Sequence, residues 1–516
     1  MPDNLGETKK SALWLSAQMA TASVVGMVVG FPIRVTIASI LGPAGYGTVK
    51  VAELIQRYFA YADLGMKHSL SRQVPLLLGK GEDEECRQVS AIVLTWFLIV
   101  STVAVVVLWL FYTFDFSLKG LLTLPNLSVI CLILLSDRLN TYFHNYVKGY
   151  GLFGALGTNA FISSVLSPFI ILPLVLWMNV TGALVGRLVV SLLIGINFLR
   201  YILPHGALQT RLTLPWAKTL SLLKLSILLY SNNLSEGLLA ALSLTLLAFF
   251  VVVDELGYFG YAVTIVLTAT GITTGVNIVI YRRMLEARGA LGLRTGYFRR
   301  YLETSMVVYV FFVSIALGFT YFAHHVVIRL FLPQFAPSLV LAQILAVGQM
   351  ALSIIYLLSL YFNVTDQLGR RLAFACSSVL LTFVLNLVVL WLGYGAIGVA
   401  FCTTLSYFVY ATLLMQSRAH QIYGRLATGI AILAKLLSAS MLLGLSLHLL
   451  TLWQPEWPTA PNQLFSWAFE LMVTSMRFGI YAAVTCFLYA ALFRRYRPER
   501  DVFTILRYLA LSLWRY

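Results

Sequence analysis

Residues 14–41 read WLSAQMATASVVGMVVGFPIRVTIASIL, 28 residues in which Arg34 is the only charge. About 20 apolar residues in a helix cross the hydrocarbon core of a bilayer, so this run spans a membrane. A guanidinium at such depth costs at least ~2.5 kcal/mol and is normally turned toward a protein interior or a watery cavity. Arg57, Arg138 and Arg187 follow in similarly apolar surroundings, all in the first half of the chain. The four are expected to line a cavity for an anionic substrate.

The rest of the composition agrees with a membrane protein. Of 516 residues, 59% are hydrophobic and 11% charged, with mean hydropathy +0.85. Soluble domains carry about 25% charged residues, so a soluble globular protein is excluded. The net charge of +16 would suggest nucleic acid only if the cations formed one exposed patch; they lie instead between apolar runs. The five cysteines show neither paired nor metal-like spacing, so disulfides, metals and cofactors are not expected. The first apolar run is too long for a signal-peptide core and reads as a retained span.

Hydropathy gives fourteen spans, at 12–41, 48–66, 90–113, 122–147, 155–178, 181–200, 222–253, 257–280, 303–328, 339–362, 372–393, 395–416, 429–450 and 475–493. With the N-terminus inside, twenty-six of the thirty-six Lys and Arg fall in inner segments, three in outer ones and seven within spans. That asymmetry is the positive-inside pattern, and it places both termini in the cytoplasm. Two basic, partly apolar segments, 201–221 and the tail 499–516, suit interfacial helices.

The chain partly repeats itself after about 215 residues. Leu41-Gly42-Pro43-Ala44-Gly45-Tyr46-Gly47 is echoed by Leu256-Gly257-Tyr258-Phe259-Gly260, and Thr181-Gly182-Ala183-Leu184 by Ile397-Gly398-Val399-Ala400. Six spans per repeat is even, so the halves share one orientation, as in transporters whose halves are related by an axis along the membrane normal. The expected architecture is all-α and polytopic. It comprises an N-lobe at 1–215 (spans 1–6), a C-lobe at 216–425 (spans 7–12), and spans 13–14 with the tail at 426–516.

The Leu41–Gly47 motif, Ala62-Asp63-Leu64-Gly65-Met66 and Ser69-Leu70-Ser71-Arg72 together resemble the opening of Wzx-type polysaccharide flippases. These belong to the multidrug/oligosaccharidyl-lipid/polysaccharide (MOP) exporter superfamily. Leu256–Gly260 and Gly395-Ala396-Ile397-Gly398-Val399-Ala400 are similar to the second half of that pattern, and the resemblance covers roughly residues 10–420. It implies two six-helix lobes around a central cavity, alternating access, and a lipid-pyrophosphate-linked glycan as cargo.

At a rise of 1.5 Å per residue, Arg34, Arg57 and Arg187 lie about 9–14 Å below the outer surface, so three helices contribute to one cationic layer. A guanidinium stays charged and forks onto phosphate oxygens. Glu53, one turn before Arg57, is expected to pair with it or to couple transport to an ion. Glu236, after the polar run Tyr230-Ser231-Asn232-Asn233, is the candidate for proton coupling. Asn140, Tyr142, Asn145 and Tyr146 are candidates for sugar contact, while Arg477 is expected to snorkel to the outer surface. No Walker A sequence is present, and Gly149–Gly154 matches GxGxxG without a surrounding βαβ unit.

The reading is a non-enzymatic flippase of the bacterial inner membrane that moves a lipid-linked oligosaccharide outward. Its partners would be that glycan, membrane lipids and a polysaccharide polymerase, with no nucleic acid. The alternatives are a multidrug exporter of the same superfamily and a membrane glycan polymerase or glycosyltransferase. An arginine-rich first half argues against the former, which usually takes cations. The longest outer loop, 451–474, has only Glu456 and Glu470 as acids, which argues against the latter. For topology, cysteines at Gly81 and Gly289 should react with a membrane-impermeant thiol reagent only from the cytoplasm, and one at Pro455 only from outside. Labelling of the Gly289→Cys variant in intact cells would reverse the orientation.

Overall fold

In hydrocarbon a backbone must satisfy its own polar groups, and a helix does so within one segment. The computed structural model describes residues 4–114, 123–152, 154–205, 212–269, 296–364, 368–423, 426–453 and 463–493. These are helical apart from short turns. In chain order the helices are α1 (Asn4–Tyr61), α2 (Lys67–Lys80), α3 (Asp83–Thr113), α4 (Leu124–Tyr150), α5 (Gly154–Phe161) and α6 (Ser167–Ile202). There follow α7 (Trp216–Phe250), α8 (253–269), α9 (Gly296–Phe331), α10 (Pro337–Val364) and α11 (Leu368–Trp391). The last three are α12 (Gly395–Tyr423), α13 (Leu426–Leu452) and α14 (Gln463–Leu492). A π-helical turn, Ile162–Leu166, joins α5 to α6.

Two long helices hold two expected spans each. The 58 residues of α1 would reach about 87 Å at 1.5 Å each, far beyond one bilayer. The helix breaks at Gly42, which has φ 64°, a value glycine adopts without steric cost. Pro43 then starts the second half, where its missing N–H is harmless. Gly154–Ile202 forms a helical run of 49 residues, apolar enough to cross a membrane, interrupted at Asn179 (φ 50°). Among the described residues, eight such segments are long and apolar enough to cross a membrane. Trp177 and Trp391, at matching places in the two repeats, are more than four-fifths exposed, as suits rings at a lipid interface.

The helices form two compact units, Met1–Leu234 and Ser235–Tyr516. The division falls inside α7, whose first half packs on the first unit. Leu222 and Leu223 join a core built from α2, α3 and α4. Ser226 and Ser69 share a 2.6 Å hydrogen bond, and the Tyr230 hydroxyl donates to the Ala60 carbonyl. Helix α2 lies in what hydropathy marks as a polar inner loop; it buries Leu70 and Val74 while leaving Leu78 exposed. Of the expected interfacial segment 201–221, residues 206–211 lie outside the described residues; the rest includes a 3-10 turn at Leu203–His205 and the start of α7. The tail 499–516 lies outside the described residues.

In the second unit, Ser243 of α7 bonds Thr403 of α12 at 2.6 Å and receives an amide hydrogen from Asn386 of α11 at 3.1 Å. Such polar contacts join helices in membranes. Helix α14, outside the repeat, is set against α9: the Tyr481 hydroxyl donates to the Ser314 carbonyl at 3.1 Å, and Gly318 makes room for the Tyr481 ring.

The repeated glycines have unequal roles. A Cβ on Gly182 would lie 1.8 Å from the Leu174 carbonyl oxygen, and one on Gly398 would lie 2.1 Å from Val389 Cγ1. Each therefore lets the chain double back closely on the preceding segment. Gly257 by contrast sits within α8, unlike Gly42 at its break. Gly182→Ala is expected to sharply reduce the monodisperse protein recovered in detergent, because the clash is with fixed backbone. Gly79→Ala, which meets nothing within 4 Å, should leave recovery unchanged.

Candidate functional site

The second half of α1 carries Lys50, Glu53 and Arg57 at one-turn intervals, on a face turned toward α6. The Arg187 guanidinium, from α6, lies 3.0 Å from Glu53 Oε1, and the Lys50 ammonium lies 2.9 Å from Oε2. Lys50 also sits over the Tyr46 ring, 5.0 Å from its centroid. Glu53 thus spends both oxygens on Lys50 and Arg187. Arg57, the expected partner, adds a longer-range attraction. The i,i+4 spacing permits that pairing, but a cation from a packed helix and one on the preceding turn reach the carboxylate first. Three cations therefore share one carboxylate on half-buried side chains.

A second cluster forms where α1 ends. Leu64 and Gly65 both have positive φ, and the Asp63 carboxylate closes the turn by accepting the Gly65 N–H at 2.9 Å. A Cβ on Gly65 would collide with Tyr230, at 2.4 Å from its Cβ, which explains the glycine in the Ala62–Met66 motif. Asp63 is fully buried. Lys67 pairs with it at 3.6 Å while lying over the Tyr230 ring. Burial pushes the Lys67 ammonium below its ordinary pKa range, against the pull of Asp63. Arg138 of α4 feels the attraction of the same Asp63. It is 8% exposed, and its Nε and Nη1 meet no acceptor among the described residues.

The remaining sequence candidates lie elsewhere. Arg34 is exposed, with Nη2 folded back toward Gly30, where α1 packs against the π turn and Pro168. No ion pair of Arg34 occurs among the described residues. The side chain of Glu236 lies outside them. Asn140 donates to the Ser191 carbonyl and hydroxyl, and Ser191 donates to Asp137 at 2.6 Å, which binds α4 to α6. Tyr142 and Tyr146 are core residues, and the Asn145 amide bonds back to the Thr141 carbonyl. These polar groups serve helix packing rather than sugar contact. Asp63 drew notice in the sequence only as part of a motif, because Arg138 is distant in sequence and Lys67 falls in the stretch 67–80, which hydropathy marks as an inner loop.

No family model matches the sequence, and no curated protein is significantly similar to it. Solved structures are similar. The inward closed conformation of the lipid II flippase MurJ aligns with TM-score 0.62 and 14% identity, over 92% of this chain and 98% of that one. The inward-facing conformation of a multidrug resistance MATE family transporter of the MOP superfamily also gives 0.62, with 13% identity over 80% and 99%. The chain shares the fold of these two transporters. It is an all-α, multi-pass membrane protein, and its structural neighbours are transporters rather than enzymes. Because that fold serves both a lipid flippase and a drug exporter, the cargo has to be argued from the side chains.

The shared carboxylate gives a direct test. Glu53→Gln should cost about 1–3 kcal/mol, since two half-buried cations lose their charge-assisted hydrogen bonds to the carboxylate. The Glu53→Gln/Arg187→Gln double variant should recover part of that loss. Thermal unfolding of the four proteins in detergent closes the cycle; purely additive losses would mean that the pair contributes nothing.

Proposed function

We propose that this chain transports an anionic lipid-linked cargo, a lipid-pyrophosphate-linked oligosaccharide, from the inner to the outer leaflet of a bacterial cytoplasmic membrane. The observation that carries the reading is the charge imbalance inside the first unit. Lys50, Arg57 and Arg187 surround a single carboxylate, while Arg138 is buried with two guanidinium nitrogens unbonded among the described residues. Such a surplus of cations, costly in an apolar setting, is offset by a bound anion.

Guanidinium groups hold phosphate by charge and by paired N–H bonds, while lysine acts as a point charge. The head group would sit on Arg34, Arg57, Arg138 and Arg187, leaving the prenyl chain in lipid. Alternate exposure of these residues to the two sides would carry the head group across without covalent chemistry. Glu53 would relay between cations as the anion arrives, and Glu236 on α7 would couple the cycle to a proton gradient. Fold similarity to a lipid II flippase is compatible with a lipid-linked substrate. A cation-exporting multidrug transporter fits this positive interior poorly.

In a cell whose surface polysaccharide depends on this protein, Arg34→Ala and Arg138→Ala should each abolish export at normal protein abundance. Arg34→Lys should restore it only in part, because the charge returns without the fork. Immunodetection of surface glycan provides the readout. Full export by both alanine variants would remove the anionic-cargo reading.

A further inference from the structure

Helix α14 carries Glu470, Thr474 and Arg477, spaced i, i+4 and i+7, so the three share one face. Helix α9 brings His325 and Arg329 to the same place. Arg329 is ion-paired with Glu470 Oε1, and His325 lies within electrostatic reach of both arginines. Arg477 is 1% exposed, against the expectation that it snorkels. One of its terminal nitrogens donates to the Trp453 carbonyl at the end of α13. Its Nε and Nη1 have no acceptor among the described residues, and Glu470 Oε2, Thr474 Oγ1 and His325 Nδ1 have no partner there either. The scaffold beneath is rigid, because Tyr481 locks α14 onto α9 through Gly318 and Ser314.

Two arginines on separate helices thus face one carboxylate, and the deeper arginine keeps most of its hydrogen-bonding capacity unspent. A buried guanidinium in that state favours a further anion. Arg329 and Glu470 are the more exposed members, so an incoming group would meet their ion pair first. The unspent hydroxyl and imidazole nitrogen suit a tetrahedral oxyanion, which offers several acceptor oxygens and, when monoprotonated, a donor.

We propose that this cluster is a second anion site, in which a phosphate group replaces the Glu470 carboxylate between Arg329 and Arg477. It uses none of the residues assigned to cargo in the first unit. The phosphate comes either as the free ion or as the headgroup of an anionic phospholipid, and the two sources are chemically alike at the point of contact.

The test compares the full-length parent, Glu470→Gln and Arg477→Met in uncharged detergent at constant ionic strength. Thermal unfolding is followed against inorganic phosphate and, separately, against added phosphatidylglycerol. A ligand of the folded state at concentration L stabilises it by RT ln(1 + L/Kd), so the midpoint starts to climb near Kd and then rises with the logarithm of concentration. For at least one source, the parent midpoint should rise with the logarithm of concentration above a threshold. Glu470→Gln, with the competing carboxylate removed, should begin that rise at about tenfold lower concentration. Arg477→Met should lose the rise. A pattern seen with inorganic phosphate identifies the free ion, and one confined to phosphatidylglycerol identifies the headgroup. No response in the parent, or the same response in all three proteins, overturns the site. If Arg477→Met does not fold, Glu470→Gln decides alone: a rise that begins at the parent's concentration or a higher one overturns the proposal.

Discussion

Everything in this chain is organised by the inability of hydrocarbon to solvate polar groups. The constraint forces the backbone into helices, and among the described residues α1 breaks at Gly42-Pro43 and α6 at Asn179. It also draws charges inside spans toward partners in the protein. Asp63 is the clearest case: it is fully buried, closes a left-handed turn through the Gly65 N–H, and attracts both Lys67 and Arg138. A single carboxylate thereby joins the end of α1, the start of α2 and the middle of α4.

The same constraint separates structural polarity from polarity with work left to do. Asn140, Ser191 and Asp137 use their hydrogen bonds on one another and bind α4 to α6. Arg138 and Arg477 do not; each is buried with nitrogens unspent among the described residues. The distinction between these groups is one of hydrogen-bond accounting, since all of them lie in equally apolar helices. It is also the reason the cargo argument rests on cations in the first unit, because the fold itself is common to a lipid flippase and a drug exporter.

Much of the fold was legible in the sequence, since crossing a bilayer depends on local length and apolarity. The spans expected at 303–328, 339–362, 395–416 and 429–450 lie within helices α9, α10, α12 and α13, and that at 372–393 overruns the end of α11 by two residues. The turn at Gly182 and its counterpart at Gly398 were visible as a repeat. Helix α2 was not, because its apolar face is narrow and its charges resemble a loop. The position of α7 was also hidden, since packing of Leu222, Ser226 and Tyr230 against the first unit has no signature in hydropathy.

The sequence by itself determined that the chain crosses a membrane many times and that arginines are set inside its spans. Both follow from composition within single segments. Which carboxylate each arginine meets was decided by tertiary structure alone. Glu53 could have taken Arg57 one turn away, yet it takes Lys50 and, from a helix more than a hundred residues on, Arg187. Arg477 could have reached the surface, yet packing of α14 on α9 buries it. Ion pairing depends on distances of a few ångströms between helices remote in sequence, and only their packing sets those distances.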